Sequence, residues 1–156
     1  LRNIKSSINE LYFVFSTQEE VGTRGATTAA FGIDPDVGIA VDVTGTGDTP
    51  RGAVMDVKLG AGPAIKIKDS GMLADPNLVN ALVNCAQKNK IPYQREVLLG
   101  GSTDARAMQI TRAGMPAGCV SVPTRYIHSP SEMVDFHDVE NAVLLLTAFL
   151  SEAIVL

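Results

Sequence analysis

Val37-Gly-Ile-Ala-Val-Asp-Val-Thr44 decides the fold. It is a near-continuous apolar run of strand length, rich in β-branched residues and introduced by the turn-forming Asp34-Pro35-Asp36. A strand that is apolar at successive positions, rather than at alternate ones, is covered on both faces, as in a parallel sheet between helices. Working outward, Glu10–Ser16 is a second such run, dense in Tyr, Phe, Val and Leu, and reads as another buried strand. Between the two, Ala/Thr-rich Val21–Phe31 predicts a helix closing at Gly32, and Leu1–Ile8 reads as the tail of a helix that begins upstream. Downstream, glycine-rich Gly45–Gly62 predicts a long loop, and Ala64–Lys68 alternates like a short strand. Asp75-Pro76 is a strong helix start, Asp as N-cap and Pro at the first helical position. That helix should run to about Asn89, burying Leu78, Leu82, Val83 and Ala86. Tyr93–Leu99 predicts a strand, Thr103–Ala113 a helix and Cys119–Pro123 a strand. Asp138 is expected to cap a last helix whose Ala142, Leu145, Leu146, Phe149 and Leu150 face the sheet. The expected class is α/β, with a mainly parallel mixed sheet and helices on both faces.

The 156 residues suit one domain with a sizeable core, and 46% apolar against 19% charged residues exclude a disordered chain. Thirteen basic and seventeen acidic residues give a net charge of −4 with no Lys/Arg cluster, which argues against nucleic acid as partner. No apolar run approaches the roughly 20 residues of a bilayer span, and the N-terminus lacks signal-peptide architecture. Cys85 and Cys119 are far apart and without metal spacing; they read as small buried residues in a reducing, cytoplasmic setting.

Several polar residues fall at predicted strand ends, where open α/β sheets place ligands. Glu19 and Glu20 follow the Glu10–Ser16 run. Adjacent anions there suit either a solvated turn or a divalent metal, with one carboxylate as ligand and the other as general base. Asp42 interrupts an apolar strand near its carboxyl end, so it should be hydrogen-bonded, paired or bound to metal. His128 sits where a strand gives way to Ser129-Pro-Ser-Glu132 and is either structural or a metal ligand, whereas His137 beside Asp138 reads as structural. In Gly100-Gly-Ser-Thr-Asp-Ala105 the glycines would let backbone approach a ligand closely. That stretch is either a substrate contact or a tight turn with a Thr103 or Asp104 cap, and it lacks the lysine of a phosphate loop. A Glu, an Asp and a His form a donor set suited to Zn, Co or Mn.

Four motifs carry a resemblance: Gln18-Glu-Glu-Val-Gly-Thr-Arg-Gly-Ala26, Ala40-Val-Asp-Val-Thr44 with Gly47-Asp-Thr-Pro50, Gly100–Ala105, and Arg125-Tyr-Ile-His-Ser-Pro-Ser-Glu132. In order and over nearly the whole chain, they resemble the tetrahedral di-metal aminopeptidases, the deblocking or glutamyl aminopeptidase family often labelled endoglucanases. The resemblance implies a zinc-exopeptidase catalytic domain holding two divalent metal ions (Zn, Co or Mn). In it Glu19 would be the base, Glu20 and His128 ligands of one metal, and Asp42 a ligand of the other. Gly100, Gly101, Thr103, Asp104 and Arg125 would contact substrate. A bridging water would attack the first carbonyl of a peptide with a free N-terminus, and the complete enzyme would be a homo-oligomer. The family's His-x-Asp motif and bridging Asp are missing, since the only histidines are His128 and His137 and no aspartate precedes Asp34. Its inserted β-rich domain is missing too. Residues 1–156 therefore read as the C-terminal portion of a catalytic domain, expected to be weakly active or inactive alone. Two other readings stand beside this one. A glycoside hydrolase could use Glu19 or Glu20 with Asp42 as acid and base, although 5% aromatics and no Trp offer few sugar-stacking platforms. A non-catalytic assembly subunit could associate through exposed apolar surface.

Overall fold

A computed structural model describes residues 2–156. The elements are α1 (Arg24–Ile33), β1 (Gly38–Thr44), β2 (Ala64–Lys68), α2 (Pro76–Lys88), β3 (Gln94–Val97), α3 (Ala105–Gln109), β4 (Ala117–Arg125), β5 (Met133–Val134) and α4 (Phe136–Ser151). The sheet order is β1-β4-β2-β3, with β5 pairing β4. Two parallel pairs, β1 with β4 and β2 with β3, are joined by an antiparallel contact between β4 and β2. The expected mixed α/β sheet is what forms.

Two glycines show how the helices cover it. A Cβ at Gly38 would lie 2.9 Å from Met108 Sδ of α3, and one at Gly118 would lie 3.1 Å from Leu78 Cδ2 of α2. Gly38 lies level with Ala117, so Gly118 is one residue further along and points to the opposite face. Hence α3 and α2 lie on opposite sides of the sheet. The core centres on Ile65, Leu78, Leu82, Val120 and Leu145, all fully buried. Asp75 caps α2 as expected, its side chain accepting from the Asn77 and Leu78 N–H groups.

Four expectations need correction. Glu10–Ser16 is not a strand: no described strand lies beside it, and Tyr12, Phe13, Val14 and Phe15 are 58%, 42%, 50% and 88% exposed. Strand composition without a ladder partner leaves an unpaired segment. Residues 2–8 hold no helix (Leu1 lies outside the described residues); instead Ser7 Oγ donates to Leu150 O at 2.6 Å, tying this segment to the end of α4. The helix expected over Thr103–Ala113 shrinks to α3, because Arg112 turns to positive φ and donates to Phe31 O while pairing with Asp34 at 3.0 Å. Finally, Asp138 is not the cap of α4. Asp135 caps it, accepting from the His137 N–H, and Asp138 is buried, accepting from Gly60 N and Gly62 N at 2.7 Å each. Among the described residues no helix is long and apolar enough to cross a membrane.

Candidate functional site

The Gln18–Gly25 turn is built from the backbone outward. Gly22 N and Thr23 N donate to Glu19 O at 3.0 and 2.9 Å, and Gly25 N donates to Thr17 O at 2.9 Å. A Cβ on Gly25 would sit 2.4 Å from Thr17 N, so only glycine lets α1 start this close to the turn. Gln18 and Thr23 both have positive φ, as do Tyr126 and His128 in the turn opposite. Non-glycine residues adopt that conformation rarely and at some cost.

The two turns bring Glu20 and His128 together, with Glu20 Oε1 3.0 Å from His128 Nε2. Both side chains are about 70% exposed (72% and 68%), so the pair adds little stability and stays open to a ligand. The Tyr126–Glu132 turn is closed by the His128 N–H donating to Glu132 Oε1 at 2.6 Å.

Asp42 projects from β1 level with Ser121 of β4, half-buried, and accepts from its own neighbour's Val43 N–H at 2.8 Å. Burial pushes its carboxyl above the usual range, and the Val43 N–H opposes that. Asp104 and Glu20 push the same way as burial, while the Lys66 ammonium acts against them. Glu19 is likewise raised, first by burial and then by the Asp42, Glu20 and Asp104 carboxylates, with His128 opposing. Glu19, Glu20, Asp42, Asp104 and His128 thus share one electrostatic neighbourhood whose carboxylates repel.

The donor chemistry of this neighbourhood fits a divalent cation, which would relieve that repulsion. The fit is partial. Among the described residues, no three His, Cys, Asp or Glu side chains close on one point. Glu20 with His128 offers two donors and Asp42 a third, apart from them.

The Gly100–Asp104 turn leads into α3. Asp104 stands at the head of α3 but makes no capping hydrogen bond. Its Oδ2 accepts from Ser16 Oγ, and its Oδ1 is buried without a partner. Thr103 is buried and receives the Ala105 N–H at a long 3.4 Å. Gly101 has φ +81° and, with Gly100, is exposed. Arg125 does not project freely: Nε and Nη2 donate to Asp48 Oδ1 and Oδ2 at 3.1 and 2.7 Å, holding the Asp48 carboxyl well below the usual range. The Leu59 N–H also donates to Asp48, so this pair closes the Gly45–Gly62 loop. His137 Nδ1 lies 3.2 Å from Asp135 Oδ1 at the surface.

One group escaped the sequence reading. Lys66 is fully buried with its Nζ 2.5 Å from Glu96 Oε1 and 3.9 Å from Asp69 Oδ2. Its signal was present: a lysine at the centre of Ala64-Ile-Lys-Ile-Lys68 is the same anomaly as Asp42 within its strand.

The family model for M42 glutamyl aminopeptidase matches residues 1–145. The lysyl aminopeptidase of Pyrococcus furiosus is 41% identical over 144 residues, covering 92% of this chain and 41% of its own length. An aminopeptidase structure from the archaeon Desulfurococcus kamchatkensis superposes with a TM-score of 0.85 at 49% identity, covering 88% of this chain and 40% of that one. The Pyrococcus horikoshii TET1 peptidase, described as assembling into a tetrahedron or a large octahedral shell, gives 0.76 at 35% identity, over 87% and 39% of the two chains. The chain spans less than half the length of each of these three relatives. By the extent of the family match and the agreement of fold, this chain belongs to the M42 glutamyl aminopeptidase family.

Proposed function

We propose that this chain supplies one portion of a metal-dependent aminopeptidase catalytic domain, whose complete form removes N-terminal residues from peptides with a free amine. The observation that carries this reading is the meeting of Glu20 and His128, 108 residues apart in sequence, beside half-buried Glu19. Glu20 and His128 would hold one divalent ion and Asp42 would contribute to a second, with Zn, Co and Mn suited to such nitrogen and oxygen donors. A bound divalent ion at such a site polarises the peptide carbonyl and makes water more acidic.

The chain's own residues supply the rest. Glu19, poised by burial and by neighbouring carboxylates, accepts the proton from the attacking water and returns it to the departing amine. Gly100 and Gly101 let the substrate backbone come close, with Thr103 and Asp104 behind them. Arg125 acts through Asp48, shaping the loop that borders the site. Among the described residues no three such donors meet, so the remaining ligands would come from outside them. Assembly into a homo-oligomer is proposed from the shell-forming relative.

The test is a calorimetric Zn titration of the natural full-length protein, with hydrolysis of aminoacyl 4-nitroanilides before and after chelation. Two tight sites per chain and chelator-sensitive cleavage are expected. Glucan cleavage that survives EDTA, without peptidase activity, would overturn the proposal.

A further inference from the structure

Lys66 makes contacts that stability alone does not explain. A buried ion pair is weak evidence for stability, since well-packed apolar residues often do as well. Here one ammonium faces two carboxylates, and Glu96 Oε2 and Asp69 Oδ2 have no hydrogen-bond partner although both residues are almost fully buried. Such an arrangement persists where neighbouring structure holds it for another reason.

The outward reach of the two carboxylates supplies that reason. Glu96 Oε1 also accepts from Thr44 Oγ1 at 2.7 Å. Thr44 ends β1, two residues beyond Asp42 and on the same face of the strand. On the other side, Asp69 Oδ1 accepts from Gly71 N and Met72 N at 2.8 Å each and from Ser102 Oγ at 3.2 Å. Ser102 lies two residues before Asp104, and Ser70 N donates to Gly101 O at 3.1 Å beside it. Hydrogen bonds join Thr44 to Glu96 and Glu96 to Lys66, the 3.9 Å ion pair joins Lys66 to Asp69, and a hydrogen bond joins Asp69 to Ser102, so the contacts run from the strand bearing Asp42 to the turn bearing Asp104.

We propose that Lys66 is a positioning residue: through Glu96 and Thr44 on one side, and Asp69 and Ser102 on the other, it fixes the spacing between the Asp42 and Asp104 walls of the site. The proposal rests on the aminopeptidase reading for its functional consequence, but the mechanical link can be read independently.

Lys66→Met leaves two buried carboxylates unpaired and risks failing to fold, so the decisive variants cut one outward link each. Thr44→Val and Ser102→Ala leave the ion pair in place. In the natural full-length protein, Thr44→Val should weaken Zn binding and lower kcat/KM, by less than the roughly 10- to 100-fold that follows loss of a group bonded directly to a metal ligand. Thr44→Ser, which keeps the hydroxyl, should restore both. Ser102→Ala should lower kcat/KM in the same direction. Amide exchange at Gly71 and Met72, on the far side of Lys66, should accelerate in Thr44→Val. Unchanged Zn affinity, kcat/KM and exchange in Thr44→Val would overturn the proposal. If the wild-type protein neither binds Zn nor cleaves peptides, the aminopeptidase reading fails instead. Exchange at Gly71 and Met72 then decides the link alone: acceleration sustains it and no change removes it.

Discussion

Glu19 shows how one residue acquires its chemistry from neighbours distant in sequence. Its carboxyl is raised because burial and the carboxylates of Asp42, Glu20 and Asp104 all disfavour a further negative charge. A group so placed takes up a proton readily. Glu19→Gln in the natural full-length protein is expected to lower turnover at least about 100-fold while leaving Zn stoichiometry unchanged; calorimetry beside a peptidase assay checks it, and unaltered turnover would remove Glu19 from the role of base. Asp48 has the opposite shift. Arg125 holds its carboxyl below the usual range, so the folded state binds its proton less readily than the unfolded state does. That stabilisation is complete above the ordinary carboxylate range and is lost as pH falls through it toward the lower folded value. Urea midpoints measured from pH 7 to pH 3 should fall less steeply in Asp48→Asn than in wild type. The pair is partly exposed, so the effect is on the order of 1 kcal/mol.

At the scale of elements, α4 separates a cap from a clamp. Asp135 caps the helix with one hydrogen bond to the His137 N–H, and its loss should cost about 1 kcal/mol. Asp138, one turn in, holds the Gly60 and Gly62 N–H groups from the long loop while fully buried. Asp138→Ala leaves two backbone donors without partners and should cost about 2–4 kcal/mol. Urea denaturation of Asp135→Ala and Asp138→Ala compares them directly, and equal costs would refute the clamp. The same loop is held at its other end by Asp48 and Arg125, so both ends of the segment bordering the site are charge-anchored.

At the scale of the whole molecule, apolar surface is left open beside the site. β1 ends the sheet order, with Val41 and Val43 59% and 41% exposed, and Tyr12 to Phe15 lie exposed as well. An unpaired edge next to exposed apolar side chains favours association. The 156-residue chain by itself is expected to elute from gel filtration at a mass that rises with concentration, and Val41→Lys with Phe15→Lys should suppress the rise. A monomeric elution at every concentration would show the edge to be inert.

What the sequence by itself determined is local. The Asp75-Pro76 start of α2, the bounds of β2, the long loop and the apolar stripes of α2 and α4 all follow from capping chemistry and periodicity, which act within a few residues. The candidate residues were also legible singly, because a charge inside an apolar strand, or at its end, stands out. Only the tertiary structure decided who meets whom. Glu10–Ser16 has the composition of a strand, but a ladder needs a partner, and none lies beside it among the described residues. Asp138 looked like a cap because capping is a local pattern; the loop it holds, some 76 residues away, is not. Lys66 sits in a strand recognised by its alternation, but its burial beside Glu96 follows from the packing of β2 on β3, which periodicity does not reveal.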